Sequence, residues 1–384
     1  MKQTKIMLIA GDTSGDKHAA DLITALKYYR EQPHFYGLGG SLMHQAGLVS
    51  ICPEHKLGIF GIVEVIKSLF TIRRIFNATK NALKFQRPDL LILVDYGGFN
   101  LKVAAVAHKL GIKILYYISP QIWASRAQRI HKIKRYINHM AVILPFEAAI
   151  YRQYKIPTTY VGSPLVEQIT ACGSRLKART ALLSQYSLEA TELLISLAPG
   201  SRESEVTRLM PILVASAQKI HASFPHCQFI VPVSSSIEKN SIAAYFADTG
   251  IDPIFTENNY LALEASDVVI GASGTLTLEC AILGTPIIVI YKTNYITYKI
   301  LKQLIKVPYI AMCNIIAREL VAPEFIQNDA SAYNIFNAAN KLLTDTHYYQ
   351  KTTEKLAQVK QQLGTDNAAH NTAAIAVKLL DNKL

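Results

Sequence analysis

Paired cysteines are missing from this chain. Its five cysteines, Cys52, Cys172, Cys227, Cys280 and Cys313, stand apart with no Cys-x-x-Cys pair. That excludes a zinc knuckle and a disulfide framework and fits a reducing compartment. His18, His131 and His139 have no partners at metal-ligand spacing, so no metal is expected. Gly-x-Gly-x-x-Gly is absent: Gly37-Leu-Gly39-Gly40 lacks the third glycine at the right distance, which argues against a nicotinamide dehydrogenase. No nucleic-acid-binding module is visible, and aromatics are not interleaved with basic residues as a stacking platform. The apolar segment 57–70 is too short and too charged to span a bilayer. Met1-Lys-Gln-Thr-Lys5 runs straight into a strand, so no secretory leader is expected. Low-complexity tracts are also lacking.

Acidic residues are scarce in one half only. Residues 1–165 carry 22 Lys+Arg against 9 Asp+Glu, whereas residues 166–384 carry 18 against 19, within a net charge of +12. A one-sided positive field implies an anionic partner for the first half. Half of the 384 residues are hydrophobic and 18% are charged, which is ample core material for two domains.

Branched apolar runs at 6–10, 90–94, 113–118 and 141–144 read as parallel strands buried on both faces. Amphipathic segments at 16–30, 62–84, 100–110 and 126–137 read as the intervening helices. Gly162-Ser-Pro164 breaks the pattern, and 165–190 is a polar, mostly helical connection. A second set of strands follows at 194–198, 228–233, 267–271 and 287–291, then helices at 351–362 and 367–380. The expected fold class is α/β, with two Rossmann-like doubly wound parallel-sheet domains facing a central cleft. The divisions fall at 1–164, 165–345 and 346–384, the last being helices that pack on the first domain or on a partner subunit.

Strands run into glycine turns and helices at Gly11-Asp-Thr-Ser14-Gly15-Asp16 and at Pro199-Gly200-Ser201-Arg202. Each such start gathers free N–H groups and the positive end of a helix dipole, which suits phosphate. A nucleotide-bearing substrate is the natural occupant. The Arg202 fork suits a diphosphate oxygen pair, against the plainer reading of an exposed arginine paired with Glu205 or Glu203. Gly271-Ala-Ser273-Gly274-Thr275 repeats the device, with Glu279 placed to accept from a ribose diol; the plainer reading is an ordinary turn with a half-buried glutamate. Asp95 ends the run 90–94, and Tyr-Gly-Gly-Phe-Asn100 follows. Such a carboxylate beyond a strand's carboxyl end acts as a general base on a hydroxyl, or only caps the next helix. On a helix at 62–76, Ile62, Val65, Ile66, Leu69 and Phe70 share one face while Lys67, Arg73 and Arg74 lie toward the other. That pattern fits an interfacial helix and equally a core-facing one. Arg126 and Arg129 open a basic run ending at Arg135, either a solvated face or a contact for phosphate and anionic lipid.

Taken in order, 10–16, 58–65, 95–100, Ser119-Pro-Gln-Ile-Trp-Ala124, Leu144-Pro-Phe-Glu147, 199–206, 272–279, 307–310 and 314–317 resemble the lipid-A-disaccharide synthases, inverting glycosyltransferases of GT-B architecture. The resemblance implies that UDP-2,3-diacylglucosamine gives its sugar to the 6-hydroxyl of 2,3-diacylglucosamine 1-phosphate, forming a β-1,6-linked disaccharide 1-phosphate and UDP. It implies Asp95 as base and Gly200, Ser201, Arg202, Ser273, Gly274, Thr275, Glu279 and Asn314 around UDP. Gly11, Ser14, Gly15, Asp16 and Asn100 are expected on the acceptor side. The basic half then faces anionic inner-membrane phospholipid through the 62–76 helix, Arg126 and Arg129. No metal or other cofactor is implied, and the enzyme is expected to be cytoplasmic and peripheral on the inner membrane's inner face. A homo-oligomer is compatible with this reading. A UDP-sugar epimerase and a catalytically impaired paralogue that only binds UDP or membrane are the alternatives. The chain departs from the family pattern at Gly97 and Gly98, at Ser125, at Cys313, and by lacking a glycine between Ala317 and Arg318.

Overall fold

A computed structural model describes residues 3–52, 65–124, 127–170, 175–188, 193–234, 236–304, 307–364 and 367–384. Each run of branched apolar residues becomes a strand shielded on both sides. In the first compact unit, Met1–Pro164 with Thr365–Leu384, these are β1 (Lys5–Ala10), β2 (His34–Leu38), β3 (Val49–Ser50), β4 (Leu90–Val94), β5 (Lys113–Tyr117), β6 (His139–Val142) and β7 (Thr158–Tyr160). All pair in parallel in the order β3-β2-β1-β4-β5-β6-β7. The second unit, Leu165–Gly364, holds β8 (Leu193–Ala198), β9 (Cys227–Pro232), β10 (Ile254–Thr256), β11 (Val268–Ala272), β12 (Ile287–Tyr291) and β13 (Glu324–Ile326). Its parallel order is β10-β9-β8-β11-β12-β13.

Both orders reverse direction once, between β1 and β4 and between β8 and β11. Ligands of open α/β sheets bind beyond the strand ends at that switch. The register places the candidate turns there. Ala10 pairs with Val94, so Gly11 and Asp95 leave the sheet side by side. Ala198 pairs with Gly271, which does the same for the Gly200 and Gly274 turns.

Five strands were not expected: β3, β7, β10 and β13 have two or three residues each, and the five of β2 include the polar His34 and the pattern-breaking Gly37. That glycine is required, since its φ is +151° and an added Cβ would stand 1.8 Å from the Leu8 carbonyl oxygen. β6 ends at Val142 rather than reaching 144, because Pro145 begins a helix (Pro145–Gln153) whose first turn claims Leu144.

The segment 346–384, read above as one set, is divided. The helix Thr346–Gln362 packs in the second unit on the helices Leu276–Leu283, Met312–Ala317 and Ala332–Thr344. The helix Ala368–Leu380 returns to the first unit, against the helix Thr13–Tyr29 and against β4 and β5. Its Ala373, Ala376 and Leu379 join Leu22, Ile23 and Leu26 in one core. Asn371 Nδ2 donates to the Val161 carbonyl at 2.9 Å, Lys113 Nζ to the Leu379 carbonyl at 2.6 Å, and Arg30 pairs with Asp381. Cys52, Cys227, Cys280 and Cys313 are buried free thiols, and Cys172 lies outside the described residues.

Candidate active site

In the second unit the two glycine turns line one cavity of about 340 Å³ with Glu279. Gly200 has φ +107° and Gly274 φ +152°, conformations that side chains resist. An added Cβ on Gly274 meets no protein atom within 4 Å. Ser201, Arg202, Ser273 and Thr275 complete the wall. Arg202 shows the plainer pairing, with Nη1 donating to Glu205 Oε1 at 2.8 Å, while its side chain stays 77% exposed. Glu205 Oε2 also accepts from the Ser201 amide at 3.2 Å. Burial pushes the Glu279 carboxyl above its ordinary pKa. Glu279 also borders an adjoining open hollow lined by Glu257, Asn258, Asn259 and Tyr260.

Asn314 is fully buried and its hydrogen bonds are internal. Nδ2 donates to the Ala322 carbonyl and to Glu324 Oε1, both at 2.8 Å, and Oδ1 accepts from the amides of Val321 (2.9 Å) and Ala322 (2.8 Å). Those bonds use its amide's full donor capacity and both acceptor lone pairs, so its place is as a brace rather than in the cavity wall. Glu324, which the sequence did not single out, also receives the amides of Ile310 and Ala311. From there Ser273 Oγ donates to the Ile310 carbonyl (3.1 Å) and the Met312 amide donates to Thr277 Oγ1 (3.0 Å). The brace therefore ends on the glycine turn. Where the family pattern has a further glycine, Arg318 caps the helix Met312–Ala317 in the left-handed region at φ 59°.

In the first unit, Asp95 and Tyr96 are consecutive left-handed residues, φ 47° and 46°. Such backbone is strained by about 1–3 kcal/mol per residue and concentrates at functional sites. Several contacts hold it. The Asp95 amide donates to the Tyr117 carbonyl at 3.1 Å. The Asp95 carbonyl accepts from Asn100 Nδ2 at 2.8 Å and Tyr116 Oη at 2.5 Å. The Tyr96 ring covers Gly11, where an added Cβ would stand 2.3 Å from its Cγ. Burial pushes the Asp95 carboxyl up to about 6, aided by the charge of Asp12 and opposed by the Tyr96 amide.

The acceptor-side candidates separate. Gly11 touches the Asp95 turn through Tyr96, and Ser14 is exposed on the first helical turn. The Gly15 amide donates to Asp12 Oδ1 at 2.6 Å, so that helix start is already capped. Asp16 is buried, accepting from the amides of Gly40 (2.7 Å), Leu42 and Met43 (both 3.1 Å). Asn100 is buried under the Asp95 turn. Asp16 and Asn100 thus shape the site without opening onto it.

Among the lipid-side candidates, Ile62 and Arg126 lie outside the described residues, as do the side chains of Val65, Ile66, Lys67 and Leu69. The helix Val65–Gln86 buries Ile75, Thr79 and Leu83 and leaves Phe70 83% exposed, with Arg73 and Arg74 exposed beside it. Arg129 is half-buried, on a helix that Ile130 and Ile133 hold in the core. Its guanidinium accordingly lies by Gly97, with Nη1 3.0 Å from where a Cβ on that glycine would stand. Among the described residues no helix is long and apolar enough to cross a membrane, and no group of three His, Cys, Asp or Glu side chains is placed to hold a metal ion.

Two all-parallel Rossmann sheets, each with its candidate turns at the switch point, define a GT-B fold. Solved neighbours share it: UDP-GlcNAc 2-epimerase from Neisseria meningitidis (TM-score 0.62, 12% identity, 99% of this chain and 100% of that one), and CalG4, the calicheamicin glycosyltransferase (TM-score 0.58, 11% identity, 98% of each). At such identities they speak for the fold alone. The chain belongs to the lipid-A-disaccharide synthetase family, whose model matches residues 6–378. It is 38% identical to the lipid-A-disaccharide synthase of Geobacter sulfurreducens, over 99% of this chain and 98% of the relative. Its identity to lipid-A-disaccharide synthase 1 of Legionella pneumophila (strain Philadelphia 1) is also 38%, with the same coverage. It is therefore a glycosyltransferase of lipid A disaccharide synthesis, and the likeness to epimerases is one of architecture.

Proposed function

We propose that the chain transfers the sugar of UDP-2,3-diacylglucosamine to O6 of 2,3-diacylglucosamine 1-phosphate by single displacement. Asp95 takes the proton of the 6-hydroxyl as that oxygen attacks the anomeric carbon. The bond to the diphosphate breaks, UDP leaves, and the configuration inverts. Negative charge grows on the diphosphate, where the helix starts at Gly200 and Gly274 and the guanidinium of Arg202 oppose it. Glu279 accepts from the ribose hydroxyls. Asn314 acts behind the Gly274 turn. No metal is required in this reading, since those dipoles and that cation serve the leaving group. The observation that carries it is the meeting of two glycine-led helix starts, Arg202 and Glu279 at one cavity.

Gly274→Ala tests the cradle. A methyl group disfavours φ +152° and turns the peptide away. UDP affinity measured by calorimetry should fall about tenfold or more, as expected for one lost charge-assisted hydrogen bond. Unchanged affinity would place the diphosphate elsewhere.

The enzyme works, on this proposal, as a peripheral protein at the cytoplasmic face of the inner membrane. The charge asymmetry supports this, as does Phe70 standing open beside Arg73 and Arg74. Phe70→Ser with Arg73→Glu should weaken sedimentation with phosphatidylglycerol vesicles about tenfold or more, at roughly 1 kcal/mol per basic residue near the surface. Sedimentation equal to wild type would remove this helix from the lipid contact.

A further inference from the structure

Two sequence motifs, 119–124 and 144–147, have no part in the reaction above, yet one buried carboxylate ties them together. Glu147 is 1% exposed, on the first turn beyond β6. Its Oε1 accepts from Ser119 Oγ at 2.7 Å and from the Trp123 indole Nε1 at 3.1 Å, and Oε2 accepts from the Leu144 amide at 3.3 Å. The Trp123 ring meets Phe146 edge-on, 5.0 Å between centroids. Ser119 and Trp123, both in the loop beyond β5, are thus fixed to a single side chain. Between them stands Pro120, whose Cβ is 2.6 Å from where a Cβ on Gly97 would stand. The loop therefore packs directly on the turn that carries Asp95, and glycine at 97 is what lets it approach.

We propose that Glu147 is a positioning residue for Asp95. By holding Ser119 and Trp123 it seats Pro120 on Gly97 and keeps the left-handed Asp95–Tyr96 turn in its reactive geometry. This rests on Asp95 being the base.

The carboxyl of Glu147 is pushed up to about 7 by burial, against its bonds to Ser119, Trp123 and Leu144, with the charge of Asp95 adding to the rise. Tyr151, on its own helix, also feels its charge. Protonation near neutrality weakens the two bonds to the loop, because an ionised carboxylate is the stronger acceptor. Trp123 is the chain's only tryptophan, so its emission reports this contact alone.

The test uses the full-length protein with Glu147→Ala, Glu147→Gln and Ser119→Ala, each alone and combined with Asp95→Asn. Acceptor kcat and KM, UDP binding and the pH dependence of tryptophan emission are measured. Glu147→Ala should lower kcat about 10- to 100-fold, the scale of an ångström of misplacement, with little change in KM. Its emission should shift to the red while UDP affinity stays at wild type. Glu147→Gln should recover most of that loss, since its amide oxygen still accepts from both donors. Wild-type emission should titrate near pH 7, and that step should vanish in Glu147→Gln. On an Asp95→Asn background the Glu147 substitutions should lower the residual rate no further. Wild-type kcat in Glu147→Ala, or losses that multiply on the Asp95→Asn background, would overturn the proposal. Should Glu147→Ala fail to fold, seen as a lost calorimetric melting transition, unchanged kcat in both Ser119→Ala and Glu147→Gln with no emission step in wild type would overturn it equally. Full activity of Asp95→Asn alone would instead remove the base assignment itself.

Discussion

Asp95→Asn is expected to lower turnover by about two to four orders of magnitude, the range for losing a general base, while making the protein harder to melt at pH 8. Both effects come from the same buried carboxylate. Asparagine keeps the shape and tolerates left-handed backbone, so the φ of 47° at this position is no obstacle to the substitution. The folded-state pKa of Asp95 is raised to about 6, whereas the unfolded value is about 4. Between those values the folded protein binds the extra proton, so the group's contribution is full below about pH 4 and is lost as pH rises through about 6. Above that, ionised Asp95 opposes folding by about 1–3 kcal/mol, and asparagine removes the opposition. The melting temperature of Asp95→Asn should exceed that of wild type by several degrees at pH 8, and the gap should close toward pH 4. Wild-type kcat/KM should climb as pH rises through about 6, following the deprotonated base, and level off only above about 7, where Glu147 is ionised as well. Calorimetric melts and a pH–rate profile check both; a gap that widens in acid would refute the sign.

Asn314→Ala is expected to be among the most destabilising single changes in the second unit, by about 2–4 kcal/mol in chemical unfolding. Alanine removes four hydrogen bonds and leaves buried partners unsatisfied, the Val321 and Ala322 amides among them. UDP binding should weaken as well, because Glu324 loses a donor and the 310–312 segment behind Ser273 and Thr277 loosens. Asn314→Asp should be damaging too, since a carboxylate cannot donate to Glu324 or to the Ala322 carbonyl. Wild-type stability in Asn314→Ala, with loss confined to UDP affinity, would return this residue to the cavity wall.

The parts of this fold legible in the sequence are those whose signal is local. A branched run such as 90–94 is a buried parallel strand wherever it sits, and a strand ending at glycines before a helix is a phosphate-type turn. The edge strands β7, β10 and β13, three residues each, were not, because three residues carry no period. Asp95 and the glycine turns stood out because their chemistry sits at strand ends. Glu147, Glu324 and the bracing roles of Asp16, Asn100 and Asn314 did not. A polar residue that will be buried looks like one that will be exposed until its partners arrive, and those partners lie 20 or more residues away for Ser119–Glu147 and Gly40–Asp16. Arg129 read as surface charge for the same reason: its neighbour Gly97 is distant in sequence.

The helix Ala368–Leu380 has a bearing on biosynthesis. The face of the helix Thr13–Tyr29 bearing Leu22, Ile23 and Leu26 is covered by residues that emerge only after the whole 165–364 unit has been translated. Domains generally mature in the order they leave the ribosome; here the earliest-made lobe waits longest for its missing piece. That lobe's core is completed only by the last helix of the chain to be made.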